Sequence, residues 1–432
     1  MKSRVASCGL RVARKKAQPT ADLAVTGALI ATMGDAPGPR TGAAMRELGL
    51  VKGDVVAKDG RIVAVGKGAA KGFGVKRTIE AHGRLVTPGL IDPHTHAVFA
   101  GTREDEFELR NSGVTYAEIA SKGGGIAKSV AQVRAASLKQ IKDRTRPALR
   151  RMLEHGTTTV EIKSGYGLSL KDELKLLRAA KELGEEGPID VVTTFLGAHE
   201  VPPEYRNDRA AYVRLLCDVM IPEVAKKRLA QWCDVFCEKG VFEIDDSRKI
   251  LEAAKRAGLG VRLHAEEFAT LGGARLAAEL GAASADHLMA IDDAGIDAMR
   301  QSGTVAVLLP GTTFFLGLPR YAPARRLIDA GIPVALATDY NPGSCYTESL
   351  QVIGTIAATQ LKMTAAEILT ACTVNAAHAL RLPDRGRIAE GLLADLVVWD
   401  LDDVRKLTYH FGVNQVQILA KRGRVTSGEE FR

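Results

Sequence analysis

The chain has 432 residues, of which 46% are apolar and 25% charged, a composition typical of a globular protein with a large core. Six of its net +8 charges lie in residues 1–21, so the rest of the chain is close to neutral. This distribution excludes the basic surface expected of a nucleic-acid-binding protein, and aromatic residues are few. No apolar run is long enough for a secretory leader or a bilayer span, so we expect no membrane partner.

Residues 1–21 predict a basic, disordered tail. Their Arg, Ser and Ala content also faintly resembles a mitochondrial transit peptide, which is the less favoured interpretation. The six cysteines are scattered and do not form a disulfide framework, and Cys233 and Cys237 have no second Cys or His pair nearby. We therefore expect buried thiols in a reducing compartment and a cytoplasmic location.

The two ends of the chain show the same sequence pattern, which predicts short strands with alternating apolar residues and tight turns. The pattern covers residues 22–85 and residues 386–432. Asp-Gly and Arg-Gly dipeptides between alternating runs predict hairpins. Neither end has enough strands for a stable sheet alone. The sequence therefore predicts one small, discontinuous β-sandwich built from both termini, with residues 86–385 inserted between them.

From about Gly89 onward, a short apolar run followed by an amphipathic helical segment recurs eight times. The runs lie at 89–96, 157–167, 190–200, 233–240, 261–267, 284–288, 305–311 and 334–343. Nearly continuous apolar strands alternating with helices predict an α/β fold, a (β/α)8 TIM-like barrel over residues 86–385. A doubly wound open sheet is the alternative, but its phosphate-binding Gly signature is missing after the first strand.

The segment GGGIAKS (123–129) is superficially similar to a phosphate-binding loop. It lacks the Gly directly before Lys128 that a Walker A motif requires, and no apolar strand precedes it. We expect a flexible loop over the barrel mouth instead.

The stretch VTPGLIDPHTHA (86–97) places two imidazoles, His94 and His96, just where a buried strand ends. In an extended segment, residues two apart point to the same side, which suits two ligands on one metal. Alone the pair is weak evidence, since strand-end histidines are often only solvated. However, five of the nine histidines lie at predicted strand ends, where barrel enzymes carry their catalysts. These are His94, His96, His199, His264 and His287.

Three imidazoles and one carboxylate suit a single divalent metal of borderline softness, Zn²⁺ or Fe²⁺. The predicted ligands are His94, His96, His264 and Asp339. A water bound to such a metal loses its proton near neutral pH, which makes hydroxide available. A binuclear site would usually need a modified lysine from the fourth strand, and that strand ends in Glu238 and Lys239, so one metal is favoured.

Two carboxylates, Glu266 and Glu267, compete for the role of general base. Strict strand alternation places Glu266 on the same side as His264. If the strand ends near Ala265 and the chain then turns toward the pocket, Glu267 is the better candidate. His287 could polarise or hydrogen-bond the scissile group.

The sequence resembles the amidohydrolase superfamily over nearly all of residues 22–432. The matching segments are PGLIDPHTH (88–96), the strand-eight Asp339, TVNAAHAL (373–380) and GRIAEGLLADLVVWD (386–400). More narrowly, it resembles the imidazolonepropionase family, whose members hydrolyse a ring in histidine degradation. The specific segments are HTHAVFAGTREDEF (94–107), the GGGI loop, KSGYGL (163–168), FLGAHEVP (195–202), HAEEF (264–268), ADHL (285–288) and TDYNPG (338–343).

The resemblance implies roles for individual residues. His94, His96, His264 and Asp339 match the metal ligands, and Glu267 matches the proposed general base, which also contacts substrate. The remaining implied contacts to substrate or open-chain product are Arg103, Tyr166, His199, Asn341, Gly343 and Ser344. We expect the catalytic set to be Glu267, His287 and Asp339, acting on 4-imidazolone-5-propanoate and giving N-formimidoyl-L-glutamate. Arg103 would hold the propionate of that substrate by a two-pronged hydrogen bond.

Three rival functions are weaker. A guanine or cytosine deaminase of the same superfamily would need no carboxylate clamp, so Arg103 and Tyr166 count against it. A non-enzymatic scaffold would be expected to have lost metal ligands, and this sequence retains the full set. A metal-dependent nucleic-acid processor is disfavoured by the charge distribution. The resemblance also implies a homodimer.

Overall fold

The computed structural model describes residues 18–114, 118–119 and 123–428. It contains a parallel barrel enclosed by helices and a second sheet built from both ends of the chain. The predicted fold class is therefore confirmed. Most of the predicted basic tail lies outside the described residues, and the first strand begins at Thr20, within the range expected for that tail. In the described part of the chain, no helix is both long and apolar enough to cross a membrane.

Within the described residues, seventeen strands form the two sheets. The first five belong to the terminal sheet: β1 Thr20–Ala31, β2 Leu50–Lys58, β3 Arg61–Gly66, β4 Gly74–Glu80 and β5 Leu85–Pro88. The barrel follows: β6 Leu90–Asp92, β7 Thr157–Lys163, β8 Asp190–Ala198, β9 Trp232–Cys237, β10 Gly260–Val261, β11 Leu263–Ala265, β12 Ser284–His287, β13 Val305–Leu308 and β14 Val334–Leu336. The terminal sheet then resumes with β15 Leu396–Trp399, β16 Val416–Lys421 and β17 Arg424–Gly428.

All eight apolar runs identified in the sequence contain a barrel strand. The strands pair in parallel in chain order from β6 to β14, with the fifth position divided into β10 and β11 by Arg262. A parallel bridge between Thr95 and Tyr340 links the end of the first strand to the end of the last. The barrel closes there, which brings the loops after β6 and β14 together.

Helices cover the barrel strands and join them. They are Glu104–Asn111, Ile126–Ala135, Leu138–Glu154, Leu170–Glu186, Arg209–Leu215, Ile221–Lys226, Ile244–Arg256, Gly273–Glu279, Asp293–Ser302, Pro310–Phe315, Ala324–Asp329, Leu350–Gln360, Ala365–Ala371, Val374–Ala379 and Lys406–Tyr409. A π-helical turn, Leu216–Met220, joins two of them, and short 3-10 turns lie at Gly42–Arg46, Ala69–Gly72 and Pro203–Tyr205.

The helix Leu138–Glu154 shows how local sequence sets these elements. Ser137 accepts a hydrogen bond from the backbone of Gln140, whose side chain binds back to Ser137, forming a capping box. Ile141, Leu149 and Met152 recur at helical spacing and are buried against the barrel core. The capping box therefore stabilises the start of the helix, and the apolar stripe packs the helix against the barrel.

The terminal sheet differs in detail from the prediction. Its eight strands are hydrogen-bonded as one continuous sheet rather than as the two separate sheets of a sandwich. Its far ends nevertheless share a buried core, where Ile62 of β3 packs in the same cluster as Ile418 of β16. The sheet also includes Val86 to Pro88, because β5 pairs with β1 and β15, so it extends beyond residue 85.

The two predicted hairpins are confirmed. Asp59 and Gly60 have φ of 50° and 79° between β2 and β3, and Arg422 and Gly423 have φ of 48° and 69° between β16 and β17. Two successive left-handed residues are the signature of the turn that suits the twist of paired strands.

A cluster of charges joins the terminal sheet to the amino end of the barrel, where β8 begins at Asp190. Lys421 Nζ lies 2.8 Å from Asp190 Oδ2 and 2.6 Å from Asp395 Oδ2. Arg385 and Arg422 also bind Asp190, at 2.6 and 2.8 Å. We call these five residues the junction cluster.

Candidate active site

The four predicted metal ligands meet at the carboxyl end of the barrel. His94 and His96 follow β6, His264 lies in β11 and Asp339 follows β14. One ring nitrogen from each of the three histidines lies within 4.8 Å of the others. Asp339 Oδ1 lies 3.6 Å from His94 Nε2 and 3.5 Å from His96 Nε2. The fold therefore gathers three imidazoles and one carboxylate around one point.

Two of these imidazoles contact buried carboxylates through Nδ1, the ring nitrogen on the side away from the cluster centre. Asp286 Oδ2 lies 2.6 Å from His94 Nδ1, and Asp234 Oδ1 lies 3.0 Å from His264 Nδ1. A carboxylate oxygen facing a ring nitrogen accepts the hydrogen bond, so each Nδ1 is the donor and each Nε2 lone pair is directed elsewhere. His94 Nε2 is buried and has no hydrogen-bond partner among the described residues.

A divalent cation fits this arrangement. A buried ring nitrogen without a partner is costly, and a cation that takes its lone pair removes the cost. Burial lowers the pKa of His94 and His96 well below the ordinary imidazole value, with further lowering by nearby positive groups. Both rings are therefore neutral and able to donate a lone pair. Together with one carboxylate, this donor set suits a metal of borderline softness.

Three residues of the site have left-handed backbone conformations that side chains other than Gly rarely adopt. The φ angles are 54° for Asp339, 77° for His287 and 55° for Glu266. Asp339 Oδ2 also accepts a 2.5 Å hydrogen bond from the Thr312 hydroxyl. Burial raises the pKa of Asp339 to about 6. Such strained backbone clusters at functional sites, where the surrounding packing holds it.

The backbone separates the two candidate bases. β11 ends at Ala265, and the left-handed turn at Glu266 sends that side chain toward the helix Gly273–Glu279, where Oε1 accepts from the Gly272 amide at 3.0 Å. Glu267 Oε2 instead lies 3.7 Å from His287 Nε2. Burial, followed by the carboxyls of Asp339 and Glu238, raises the pKa of Glu267 well above its ordinary value. The pKa of Glu266 rises to about 7 through burial.

Three further candidate residues lie buried around the histidines. The His199 ring stacks on His96 with centroids 5.1 Å apart, and Tyr166 lies 5.3 Å from His199. His199 Nδ1 lies 3.0 Å from the carbonyl oxygen of Gly165, and burial lowers the pKa of His199 to about 3. Arg103 is 5% exposed, and its Nε donates to Glu106 Oε2 at 3.0 Å.

The loop after β14 carries the other predicted contacts. Asn341 Oδ1 accepts hydrogen bonds from the backbone amides of Gly343 and Ser344, at 2.8 and 2.7 Å. Its Nδ2 donates to the Asp339 carbonyl at 2.7 Å, so the loop is tied to the backbone of the predicted ligand Asp339. A Cβ at Gly343 would lie 2.3 Å from the guanidinium carbon of Arg103. Only Gly lets this loop approach Arg103 so closely.

A layer of buried charges below the histidines was missed by the sequence analysis. We call it the charged layer, and its members are Glu161, Lys163, Asp234, Arg262 and Asp286. Their side chains are fully buried. A signal was present for two of the five: Glu161 and Lys163 stand two residues apart within β7, where both point to one side.

A cleft of about 520 Å³ opens beside the site. Gly124 and Gly125 of the predicted mouth loop line it, together with Leu168 and Glu200. Gly125 N donates to Glu106 Oε1 at 3.0 Å, so this loop and Arg103 share one anchoring carboxylate.

Comparison with known proteins agrees with this geometry. Residues 85–428 match the model of the amidohydrolase family. A protein of Bacillus velezensis named imidazolonepropionase is 50% identical over 396 residues, which cover 91% of this chain and 94% of that protein. A protein of the same name from Anaeromyxobacter dehalogenans is 48% identical, covering 94% of this chain and 96% of that one.

Solved structures share the fold at low sequence identity. A 5-methylcytosine deaminase from Klebsiella pneumoniae superposes with a TM-score of 0.72 at 18% identity, over 95% of this chain and 98% of that one. An atrazine chlorohydrolase from Arthrobacter aurescens, complexed with zinc, gives 0.72 at 19% identity, over 94% of this chain and 96% of that one. Because the sequence identity to the two bacterial relatives is near one half along almost the whole chain, the protein belongs to the imidazolonepropionases of the amidohydrolase family.

Proposed function

We propose that the protein hydrolyses the ring amide of 4-imidazolone-5-propanoate to N-formimidoyl-L-glutamate, the ring-opening step of histidine degradation. The observation that carries the proposal is the position of Glu267, buried 3.7 Å from His287 at the edge of the four-ligand cluster. The imidazolonepropionase relatives named above support the choice of substrate.

The metal site is proposed to hold one Zn²⁺ or Fe²⁺, bound by His94, His96, His264 and Asp339. When bound, such a cation supplies Lewis-acid chemistry, lowering the pKa of water and polarising a carbonyl. The neutral imidazoles and their carboxylate partners support this assignment, because a borderline cation prefers such a donor set.

Glu267 is proposed to move the proton in both halves of the reaction. It accepts a proton as water oxygen bonds to the ring carbonyl carbon, and then returns it to the ring nitrogen as the carbon–nitrogen bond breaks. The carbonyl carbon becomes a carboxyl group, which releases the second proton of the water to solvent when it ionises, and the nitrogen stays in the formimidoyl group. A raised pKa suits this role, since the carboxylate is then a stronger base and can hold the proton between steps.

The substrate's propionate is proposed to bind Arg103. Glu106 occupies Nε, which leaves the two terminal nitrogens of the guanidinium for the carboxylate fork. Tyr166 and His199 border the ring site, and Asn341, Gly343 and Ser344 hold the opened product. His199 Nδ1 donates to the Gly165 carbonyl, so a neutral His199, with its pKa lowered by burial, can accept one hydrogen bond from the ring through Nε2 without repelling the metal.

The proposal also includes a cytoplasmic location and a homodimer. The described cysteines, five in all, are free thiols, which suits a reducing compartment. Sedimentation of the purified protein tests the dimer.

The decisive experiment combines metal analysis with an assay of the purified protein. We expect about one zinc or iron per chain, loss of the imidazolone absorbance and stoichiometric appearance of formimidoylglutamate. Cytosine serves as the control substrate, and no ammonia should be released from it. Turnover of cytosine without turnover of imidazolone propionate would replace the proposal with the deaminase function.

A further inference from the structure

We propose that Lys163 is a positioning residue that fixes the orientation and the proton of two metal-ligating histidines through Asp234 and Asp286. The inference rests on the proposed function for its metal site. It concerns a residue of β7 that touches neither the expected substrate nor the cluster of ligand atoms.

Lys163 is fully buried at the centre of the charged layer. Its Nζ lies 2.8 Å from Asp234 Oδ2 and 2.9 Å from Glu161 Oε1, and Asp286 Oδ2 is 3.9 Å away. A buried ammonium is retained only where such partners offset its loss of water. Burial alone would lower the pKa of Lys163, but Asp234 and Glu161 outweigh burial and raise that pKa. The amine is therefore a fixed positive charge.

Two of the three carboxylates around Lys163, Asp234 and Asp286, also bind the imidazoles. Asp234 uses one oxygen for Lys163 and the other for His264 Nδ1, at 3.0 Å. Asp286 Oδ2 lies 2.6 Å from His94 Nδ1 and 3.4 Å from Arg262 Nη2. A single carboxylate therefore stands between Lys163 and each of the two rings: Asp234 for His264, and Asp286 for His94.

The charge count explains why the cation matters. Three carboxylates, Glu161, Asp234 and Asp286, face two cations, Lys163 and Arg262. Removing Lys163 would leave three buried carboxylates with one cation, and Asp234 would lose the partner that lies 2.8 Å from its Oδ2. A displaced Asp234 no longer holds His264 through Nδ1, so the Nε2 lone pair would lose its direction.

The chain offers a matched control in the junction cluster. Lys421 is also buried, and it binds two carboxylates at 2.8 and 2.6 Å. Neither of those carboxylates binds an imidazole in the described structure. Lys163→Met and Lys421→Met therefore remove the same group from similar surroundings, and only the first removes it from beside metal ligands.

The test measures Zn²⁺ affinity of the two variants by competition with a chelator, together with kcat, KM and Tm. For Lys163→Met we expect roughly 10- to 100-fold weaker Zn²⁺ binding and a comparable fall in kcat, the usual size of an outer-shell effect. KM should remain near the wild-type value, because Arg103 is untouched. Lys421→Met should lower Tm and leave Zn²⁺ affinity and kcat near wild type.

A double variant guards against a folding failure. Glu161→Gln together with Lys163→Gln keeps the net charge of the layer and similar side-chain lengths, and we expect weakened Zn²⁺ binding in it as well. Wild-type Zn²⁺ affinity and kcat in either folded variant would overturn the proposal and make Lys163 a purely structural residue.

Histidine-selective ¹⁵N NMR of the metal-free wild-type protein tests the route without any substitution. We expect His94 and His264 to carry their protons on Nδ1, and a proton on Nε2 of either would contradict the mechanism. Zn²⁺ affinity and the NMR spectrum do not depend on the substrate. A protein that binds Zn²⁺ as expected but does not open imidazolone propionate would therefore refute the proposed function and leave the role of Lys163 intact.

Discussion

The two ends of the barrel each bury a lysine between two carboxylates, but these carboxylates have different further partners. Lys163 lies under the ligand histidines at the carboxyl end, with Glu161 and Asp234 at 2.9 and 2.8 Å. Lys421 lies at the amino end, with Asp190 and Asp395 at 2.8 and 2.6 Å. The local chemistry is nearly the same.

The difference lies in what else the carboxylates bind. Asp190 and Asp395 bind only further cations and the backbone amide of Arg422 among the contacts described. Asp234 binds His264 as well. Buried ion pairs of one kind therefore attach a second sheet at one end and orient reacting side chains at the other, as expected for a barrel whose loops carry the chemistry at the carboxyl end only.

The largest expected effect comes from removing a metal ligand at the catalytic end. His264→Ala takes one imidazole from a four-member set, so metal content should fall well below about one per chain and activity should be lost. Elemental analysis and the imidazolone assay measure both. His378→Ala, which removes a histidine from the helix Val374–Ala379, is the control and should keep metal and activity. Full activity in a metal-free, chelator-treated preparation would contradict the metal assignment.

The next effect separates the two neighbouring glutamates. Glu267→Gln should keep the metal and lose about 10²- to 10⁴-fold in kcat, because it removes the proposed general base. Glu266→Gln should lose much less, since Glu266 binds the Gly272 amide instead of facing His287. Metal content and kcat of both variants check this. The reverse order of kcat, at unchanged metal content, would move the proton transfer to Glu266.

Removing the proposed carboxylate-binding arginine should change KM more than kcat. Arg103→Met removes the proposed carboxylate partner, worth roughly 2–5 kcal/mol in a buried site, and should appear mainly as a raised KM. Arg146→Met is the control, because Arg146 lies half-exposed on the helix Leu138–Glu154 and binds Asp143 and Glu186 at 3.0 and 2.8 Å. A normal KM for imidazolone propionate in Arg103→Met would show that the cation comes from elsewhere and would reopen the deaminase alternative.

The sequence was sufficient for the barrel and insufficient for its charged interior. Eight apolar runs of the right length and spacing predict the strands, because parallel strands buried on both faces must be apolar throughout. The Asp-Gly and Arg-Gly turns were equally readable, since few residue pairs accept two left-handed conformations. Long-range strand pairing could not be predicted from the sequence. Nothing in the sequence around Val86 shows that β5 joins the terminal sheet, because β5 pairs there with β15, more than 300 residues later.

The candidate site follows the same division. Strand-end histidines predict a ligand cluster because barrel topology brings those ends together. The choice between Glu266 and Glu267 depends on the left-handed backbone conformation of Glu266. The local sequence does not predict this conformation, because Glu266 is not a glycine. The charged layer was missed because Asp234 and Arg262 sit in apolar runs, where only their three-dimensional partners explain them.

The smallest effect on activity should come from the junction cluster. Asp190→Asn weakens contacts to Lys421, Arg385 and Arg422, and should cost about 2 kcal/mol of unfolding free energy, the usual scale for hydrogen bonds to charged groups. The kcat should stay near wild type, since none of these residues contacts the catalytic end in the described structure. Urea unfolding and the imidazolone assay measure the two quantities.

The loss of unfolding free energy in Asp190→Asn should depend on pH, which gives a second test of the junction cluster. Burial raises the pKa of Asp190, but Lys421, Arg385 and Arg422 outweigh burial and hold that pKa below its ordinary value. A carboxyl with a lowered folded-state pKa stabilises the protein above its unfolded pKa of about 4, and this contribution is lost as the pH falls through the folded value. The stability difference between wild type and Asp190→Asn should therefore be full at pH 7 and shrink below about pH 4. A difference that stays constant across this range, or a fall in kcat matching the loss of stability, would mean that the two ends of the barrel do not divide stability and catalysis as inferred.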